Sequence, residues 1–244
     1  MLKNQTPSIS SCGSCYMLKN CLMAKADLAN MLQESIELHA RIAHANEYIS
    51  TDFIEKNQII IVRTGAVIKE YADAKGSISL IDIYYPGDMI VDYSETEVHY
   101  TIRLKSIETS SLCYLNTNVF NITPLYTEFL TIRLKNLEES NSFKQFLLVH
   151  KDPIKRVLLF ILTIVKKKHA FLCDDIEIKI NLSRKQIGIY LGLAEETVIR
   201  ALRYLSDLGL LNVNSKNFII PQYKKLINFY TISQNDSTKS QEAH

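Results

Sequence analysis

Three of the five cysteines, Cys12, Cys15 and Cys21, lie within ten residues in a Cys-x2-Cys-x5-Cys pattern, while Cys113 and Cys173 stand alone. Thiolates this close are soft donors suited to zinc or an iron–sulfur cluster; the plainer alternative is three unrelated surface thiols. The odd count, with no basic start leading into an apolar run, fits a reducing compartment better than a disulfide framework. A cytoplasmic protein is therefore expected. The six histidines are scattered, and His39 and His44 miss the i, i+4 spacing of a helical metal pair, so no site is expected there.

A second constellation spans residues 180–221. Ser183 suits a helix cap, and Ile187, Tyr190 and Leu191 would form that helix's buried face. Gly192-Leu193 reads as a tight turn. A second helix is expected from about Glu195 to Leu208, closed by Gly209, with Val198, Leu202 and Leu205 inward. Its outward face carries Glu196, Ile199, Arg200 and Arg203 at i, i+3, i+4 and i+7. A helix–turn–helix of this spacing lays its second helix in the major groove. There arginine bonds guanine O6 and N7, glutamate accepts from the cytosine amino group, and isoleucine meets a thymine methyl. Two short apolar runs flanking Asn214-Ser215-Lys216 read as a wing. An ordinary helical hairpin is the competing reading.

The formal net charge of +2 would by itself argue against nucleic acid. It is unevenly distributed: residues 1–150 carry −4, residues 151–230 carry +7, and the tail carries −1. The near-neutral total thus hides a basic segment of the kind that neutralises phosphates, although many basic domains bind no nucleic acid.

The remaining elements must position these groups. The 244 residues suffice for two ordinary domains, and no run approaches the length of a membrane span, so no membrane partner is expected. Residues 26–44 show apolar positions at roughly helical spacing. Residues 59–115 change to short β runs separated by turn signals at Thr64-Gly65, residues 72–77 and Pro86-Gly87-Asp88, as in a sandwich or barrel. Residues 126–150 lack Gly and Pro and carry Leu130, Leu134, Leu137, Asn141 and Leu148 near heptad spacing. That stripe is either a core-packing helix or a dimer seam in which Asn141 fixes register. Pro153 suits the start of a further helix, and Lys166-Lys167-Lys168 suit its end without any further role. Residues 231–244 are expected to form a disordered tail. The expected domains are 1–125, an arm and sensor; 126–150, the long helix; and 151–230, the winged helix–turn–helix.

The segment Ser183-Arg184-Lys185-Gln186-Ile187-Gly188-Ile189-Tyr190-Leu191-Gly192-Leu193, continued by Glu196-Thr197-Val198-Ile199-Arg200, resembles the DNA-binding domain of the CRP/FNR regulators. The resemblance covers about residues 12–221. It implies an α+β fold: an N-terminal double-stranded β-roll of the jelly-roll, cyclic-nucleotide-binding type, a long dimerisation helix and a C-terminal winged helix–turn–helix. It implies a non-enzymatic homodimer on palindromic double-stranded DNA, with Ser183, Arg184, Glu196, Thr197, Ile199, Arg200 and Arg203 at the interface. Contact with RNA polymerase is implied through the loop of Lys75, Gly76 and Ser77.

Pro86-Gly87-Asp88 is followed by Met89-Ile90-Val91-Asp92 rather than Gly-Glu, and Arg103 lacks the neighbouring hydroxyl residue and alanine of a cyclic-nucleotide cassette. No cyclic nucleotide is expected. The cysteines resemble the FNR, oxygen- or redox-sensing branch, which implies a [4Fe–4S] cluster on Cys12, Cys15, Cys21 and Cys113. Cys173 has no place in that motif. A four-thiolate zinc site would use the same residues, and a β-roll that senses a small molecule, or nothing, is a further alternative. An iron–sulfur enzyme or electron carrier is the reading from another class, but neither Cys-x3-Cys-x2-Cys nor a tighter cysteine run is present.

Several positions depart from the pattern. Tyr16 follows the second cysteine where a small residue is usual, Asn46 and Phe53 stand near expected glycine turns, and Ile199 replaces a serine. The contacts of Glu196 and Arg200 to a G·C pair are expected to persist, with altered preference at the neighbouring T·A pair. Glu195 occupies the place of an arginine in cyclic-AMP-responsive relatives.

Overall fold

The computed structural model describes residues 8–9, 21, 39–50, 58–91, 101–116, 123–168 and 174–239. The chain forms two compact units, residues 1–141 and 142–244.

The first unit is built on two antiparallel sheets. One is ordered β1 (Ser8–Ile9), β2 (His39–Ala43), β9 (Ser110–Asn116), β4 (Gln58–Thr64) and β7 (Met89–Ile90). The other is ordered β3 (Tyr48–Ile49), β8 (Thr101–Ser106), β5 (Val67–Ala72) and β6 (Ile78–Tyr84). Ile60, Val62, Ile90 and Leu112 of the first sheet pack against Ile49, Val67 and Leu104 of the second. Because alternate side chains leave opposite faces, Ile59 and Ile61 of β4 must lie on the other side of their sheet, beside Cys113 and Leu115 of β9. All four are buried, which explains why the strand reads as an unbroken apolar run.

The helical spacing of residues 26–44 misleads at its end. His39–Ala43 is a strand in register with Ser110–Tyr114, which buries Ala43 and leaves Ile42 exposed; residues 26–38 lie outside the described residues. Cross-strand pairing overrides a periodicity that Ile42 only mimics. The turns fall where the sequence marks them. Gly65 (φ 82) sits so close to β9 that a β-carbon would lie 2.3 Å from Ser110 Oγ. Asn46 takes φ 69, so asparagine supplies the left-handed conformation where a glycine was expected.

Helix α1 (Thr123–Val149) crosses the division between the units. The second unit continues with α2 (Pro153–Lys168), β10 (Ile176–Lys179), α3 (Arg184–Leu191), α4 (Glu195–Asp207), β11 (Asn212–Asn214), β12 (Asn217–Ile220) and α5 (Tyr223–Lys239). Strands β10, β12 and β11 form one antiparallel sheet in that order, and β10 was not anticipated. The core draws on Val157, Leu158, Ile161 and Ile164 of α2 and on Val198, Leu202 and Leu205 of α4. Truncating such a fully buried leucine to alanine costs about 2–5 kcal/mol. The expectation of a disordered tail from residue 231 is corrected: α5 extends through Lys239, and residues 240–244 lie outside the described residues. Among the described residues, no helix is long and apolar enough to cross a membrane.

Candidate DNA-recognition surface and sensor cysteines

Ser183 opens α3 with a reciprocal capping box. Its Oγ accepts from Gln186 N at 3.1 Å, and Gln186 Oε1 accepts from Ser183 N at 2.9 Å. The helix ends at Gly192, whose φ of 62 is the left-handed cap, with Leu193 N donating to Gly188 O at 2.8 Å. Gly188 permits this turn, because a β-carbon there would lie 2.6 Å from Leu193 O. The Phe160 ring lies 5.7 Å from that of Tyr190, which ties α3 to α2.

Helix α4 follows from Ala194 with Glu195 and Glu196 in its first turn, where carboxylates complement the helix dipole. Val198, Ala201, Leu202 and Leu205 are buried, whereas Glu196, Ile199, Arg200 and Arg203 are exposed on one outward face. Ile199 is 41% exposed, an apolar group held in solvent among charges. Arg200 Nη2 reaches Thr197 Oγ1 at 3.5 Å, so little restrains the guanidinium from swinging to a base edge.

Arg184 is placed differently from the others. It is half-buried, its Nη2 donates to Ser215 O at 2.6 Å, and its guanidinium lies 5.0 Å from the centre of the Phe218 ring. Burial pulls its pKa below the usual arginine range. The side chain fastens the wing, formed by β11, the Ser215-Lys216 turn and β12, to the start of α3.

Along α1, Leu134 is 65% exposed, and Leu137, Asn141 and Leu148 are exposed too, while Leu130 is partly covered. Phe146 and Val149 extend the exposed apolar surface. In the loop before β6, Asp73 Oδ1 accepts from Lys75 N at 2.9 Å and from Ser77 N at 2.7 Å, presenting Lys75, Gly76 and Ser77 to solvent.

Of the four motif cysteines, Cys12 and Cys15 lie outside the described residues, as does Cys173. Cys21 is half-buried and Cys113 is 9% exposed. Among the described residues, no three His, Cys, Asp or Glu side chains are grouped as a metal site. Cys113 lies in a register row running Ser8, Ala40, Cys113, Ile61 across four strands. The N-terminal strand β1 therefore runs two strand spacings from Cys113, about 9.5 Å, and ends at Ile9, three residues before Cys12.

Two functional features escape sequence reasoning. The wing contact of Arg184 has no local signal, since its partner lies 31 residues on. Arg156 bonds carbonyls at the ends of two helices. Its only sequence signal is a cation in the first turn of α2, where the dipole disfavours it.

Residues 155–229 match the family model described as a Crp-like helix-turn-helix domain. The chain is 25% identical over 177 residues to the anaerobic regulatory protein of Haemophilus influenzae, covering 70% of this chain and 68% of that one. It is 23% identical over 235 residues to electron transport regulator A of Shewanella oneidensis, covering 92% and 93%. In fold it is similar to FixK2 from Bradyrhizobium japonicum, with a TM-score of 0.62, 21% identity, and coverage of 78% of this chain and 96% of that one. The β-roll, long helix and winged helix–turn–helix expected from the sequence are all present, residues 155–229 form a Crp-like helix–turn–helix domain, and the chain as a whole is similar to transcription regulators of the CRP/FNR type.

Proposed function

We propose that this regulator is a homodimer of the FNR-like branch, whose hold on a palindromic operator is governed by a [4Fe–4S] cluster on Cys12, Cys15, Cys21 and Cys113. The observation that carries the reading is the register row from Ser8 through Ala40 to Cys113. Three extended residues span about 10 Å, so Cys12, three residues past Ile9, is within chain reach of the Cys113 strand. The donor set fits the group: four soft thiols, one of them in the middle of a paired strand and shielded from water. The similarity to the Haemophilus influenzae anaerobic regulatory protein supports the same branch.

When bound, such a cluster supplies iron–thiolate bonds that oxidation can break. Cys113 is the fixed point, since β9 is paired on both sides, by β2 and β4. The arm carries the other three thiols. A cluster held by all four would tie the arm to the sheet, which β1 otherwise joins through a two-residue pairing with β2. In this reading, the exposed leucines of α1 form the seam with a second copy, and tethering of the arm favours their pairing. Two recognition helices then meet half-sites about one helical turn apart. Glu196, Ile199, Arg200 and Arg203 face the major groove, and the wing approaches the backbone. The protein acts in the cytoplasm and, by family analogy, meets RNA polymerase through Lys75, Gly76 and Ser77.

The test is anaerobic purification of the full chain, with metal, sulfide and absorption analysis, beside Cys113→Ser. The expected result is ~4 iron and ~4 sulfide per chain, lost on exposure to air and absent from the variant. Stoichiometric zinc without sulfide, or full iron and sulfide in the variant, overturns the assignment.

A further inference from the structure

We propose that Arg156 is a positioning residue that fixes the helix–turn–helix against the end of α1, and so sets the half-site spacing the regulator accepts. Its guanidinium is shared among four backbone carbonyls. Nη2 donates to Leu148 O at 3.1 Å and also to His150 O, which Nε reaches at 3.2 Å. Nη1 donates to Leu191 O at 2.8 Å and to Gly192 O at 3.4 Å. The first pair closes the C-terminal end of α1, and the second closes the C-terminal end of α3 inside the helix–turn–helix. Each helix end leaves its last carbonyls unsatisfied and carries partial negative charge, so one forked cation joins two ends that would otherwise repel. Arg156 gains nothing comparable from its own helix, where it occupies the first turn. Packing reinforces the joint: a β-carbon on Gly192 would lie 3.5 Å from Leu148 Cδ2 and 3.7 Å from Arg156 Nη1. The turn before the recognition helix is thus bolted to the last turn of α1.

The inference rests on the reading of α1 as the seam of a dimer. In such a dimer, a fixed angle between α1 and the helix–turn–helix fixes the separation of the two recognition helices. A lysine keeps the charge but, as a single ammonium, cannot fork across both pairs of carbonyls.

The experiment uses the full chain and its Arg156→Gln and Arg156→Lys variants. Binding is measured to a single half-site and to palindromes with the half-site spacing correct, one base pair longer or one base pair shorter. Both variants are expected to bind the half-site within about twofold of wild type, but to lose about tenfold or more in preference for the correct spacing, the scale of one or two charge-assisted bonds. Spacing preference is the readout that a general loss of stability would not flatten. Dimeric variants with wild-type spacing preference overturn the role of Arg156, and so does full rescue by lysine. If glutamine abolishes half-site binding as well, the lysine variant alone decides. Sedimentation of the wild type separates the two failures: a wild-type monomer overturns the dimer reading itself.

Discussion

Arg184 Nη2 donates to Ser215 O at 2.6 Å, so the first residue of α3 holds the tip of a hairpin 31 residues later in the chain. Ser215 is a non-glycine residue at φ 55, a conformation that needs an outside partner to stay populated, and the guanidinium supplies one. The same group stacks on Phe218, which is fully buried. Arg184 thus positions the wing from within the domain. Arg184→Ala is expected to cost about 1.5–3 kcal/mol, the range for a hydrogen bond to a charged group, read as a lower urea midpoint. Operator affinity should fall evenly across sequences. Unchanged stability with altered base preference would show that Arg184 reads bases instead.

Arg200 and Ile199 are neighbours on the outward face of α4 with opposite chemistry. Among the described residues, Arg200 is held only by a 3.5 Å contact to Thr197, which leaves it available to a guanine. Arg200→Ala should cost about 1–3 kcal/mol of discrimination at one G·C pair. Ile199→Ser should leave that pair untouched and change preference at the adjoining T·A pair, where the methyl contact is lost. Binding to an operator library, sequenced before and after selection, checks both. A change at the same position in both variants would mean that the two side chains do not read separate bases.

Most of the second unit was legible because its signals are local. Ser183, Gly192, Gly209 and the amphipathic spacing of α4 each act over a few residues, and each sits where its chemistry requires. The β2 segment misleads because strand identity depends on a partner: Ile42 falls on a helical stripe, but pairing with Ser111 decides its face. The same limit hides the joints. Arg184 and Arg156 act on carbonyls 31 and 35 residues away, and a backbone carbonyl leaves no mark in the sequence. The cysteine row is an intermediate case. Spacing marks the trio, but only strand register brings β1 near Cys113.

The leucines of α1 give a direct test of the seam. Leu134 and Leu137 are exposed in the single chain, which an isolated protein gains nothing by maintaining in one stripe. Leu137→Lys should shift the anaerobic protein towards monomer in sedimentation and reduce affinity for the full palindrome, while single half-site binding stays near wild type. Asn141→Leu should preserve or strengthen association and loosen its register, because a polar seam residue trades stability for specificity. A Leu137→Lys protein that stays dimeric at low micromolar concentration would rule out this stripe as the seam.

His150 supplies the pH prediction. Its ring meets Phe146 edge-on with centroids 4.6 Å apart, and Tyr230 Oη lies 3.5 Å from Nε2. Burial, then the charges of Lys155 and Arg156, hold its pKa below the usual 6.5, against a smaller opposing effect of Asp152. Between the folded and unfolded values the unfolded chain binds more protons, so stability must rise with pH in that window. The contribution is complete above about 6.5 and is lost as pH falls through the folded value. The His150→Gln variant cannot titrate there. Its melting temperature should therefore fall less than that of wild type between pH 7.5 and pH 5.5, even if its starting value is lower. Parallel curves for the two proteins would show that His150 is equally easy to protonate folded and unfolded, and that the aromatic and cationic surroundings do not restrain it.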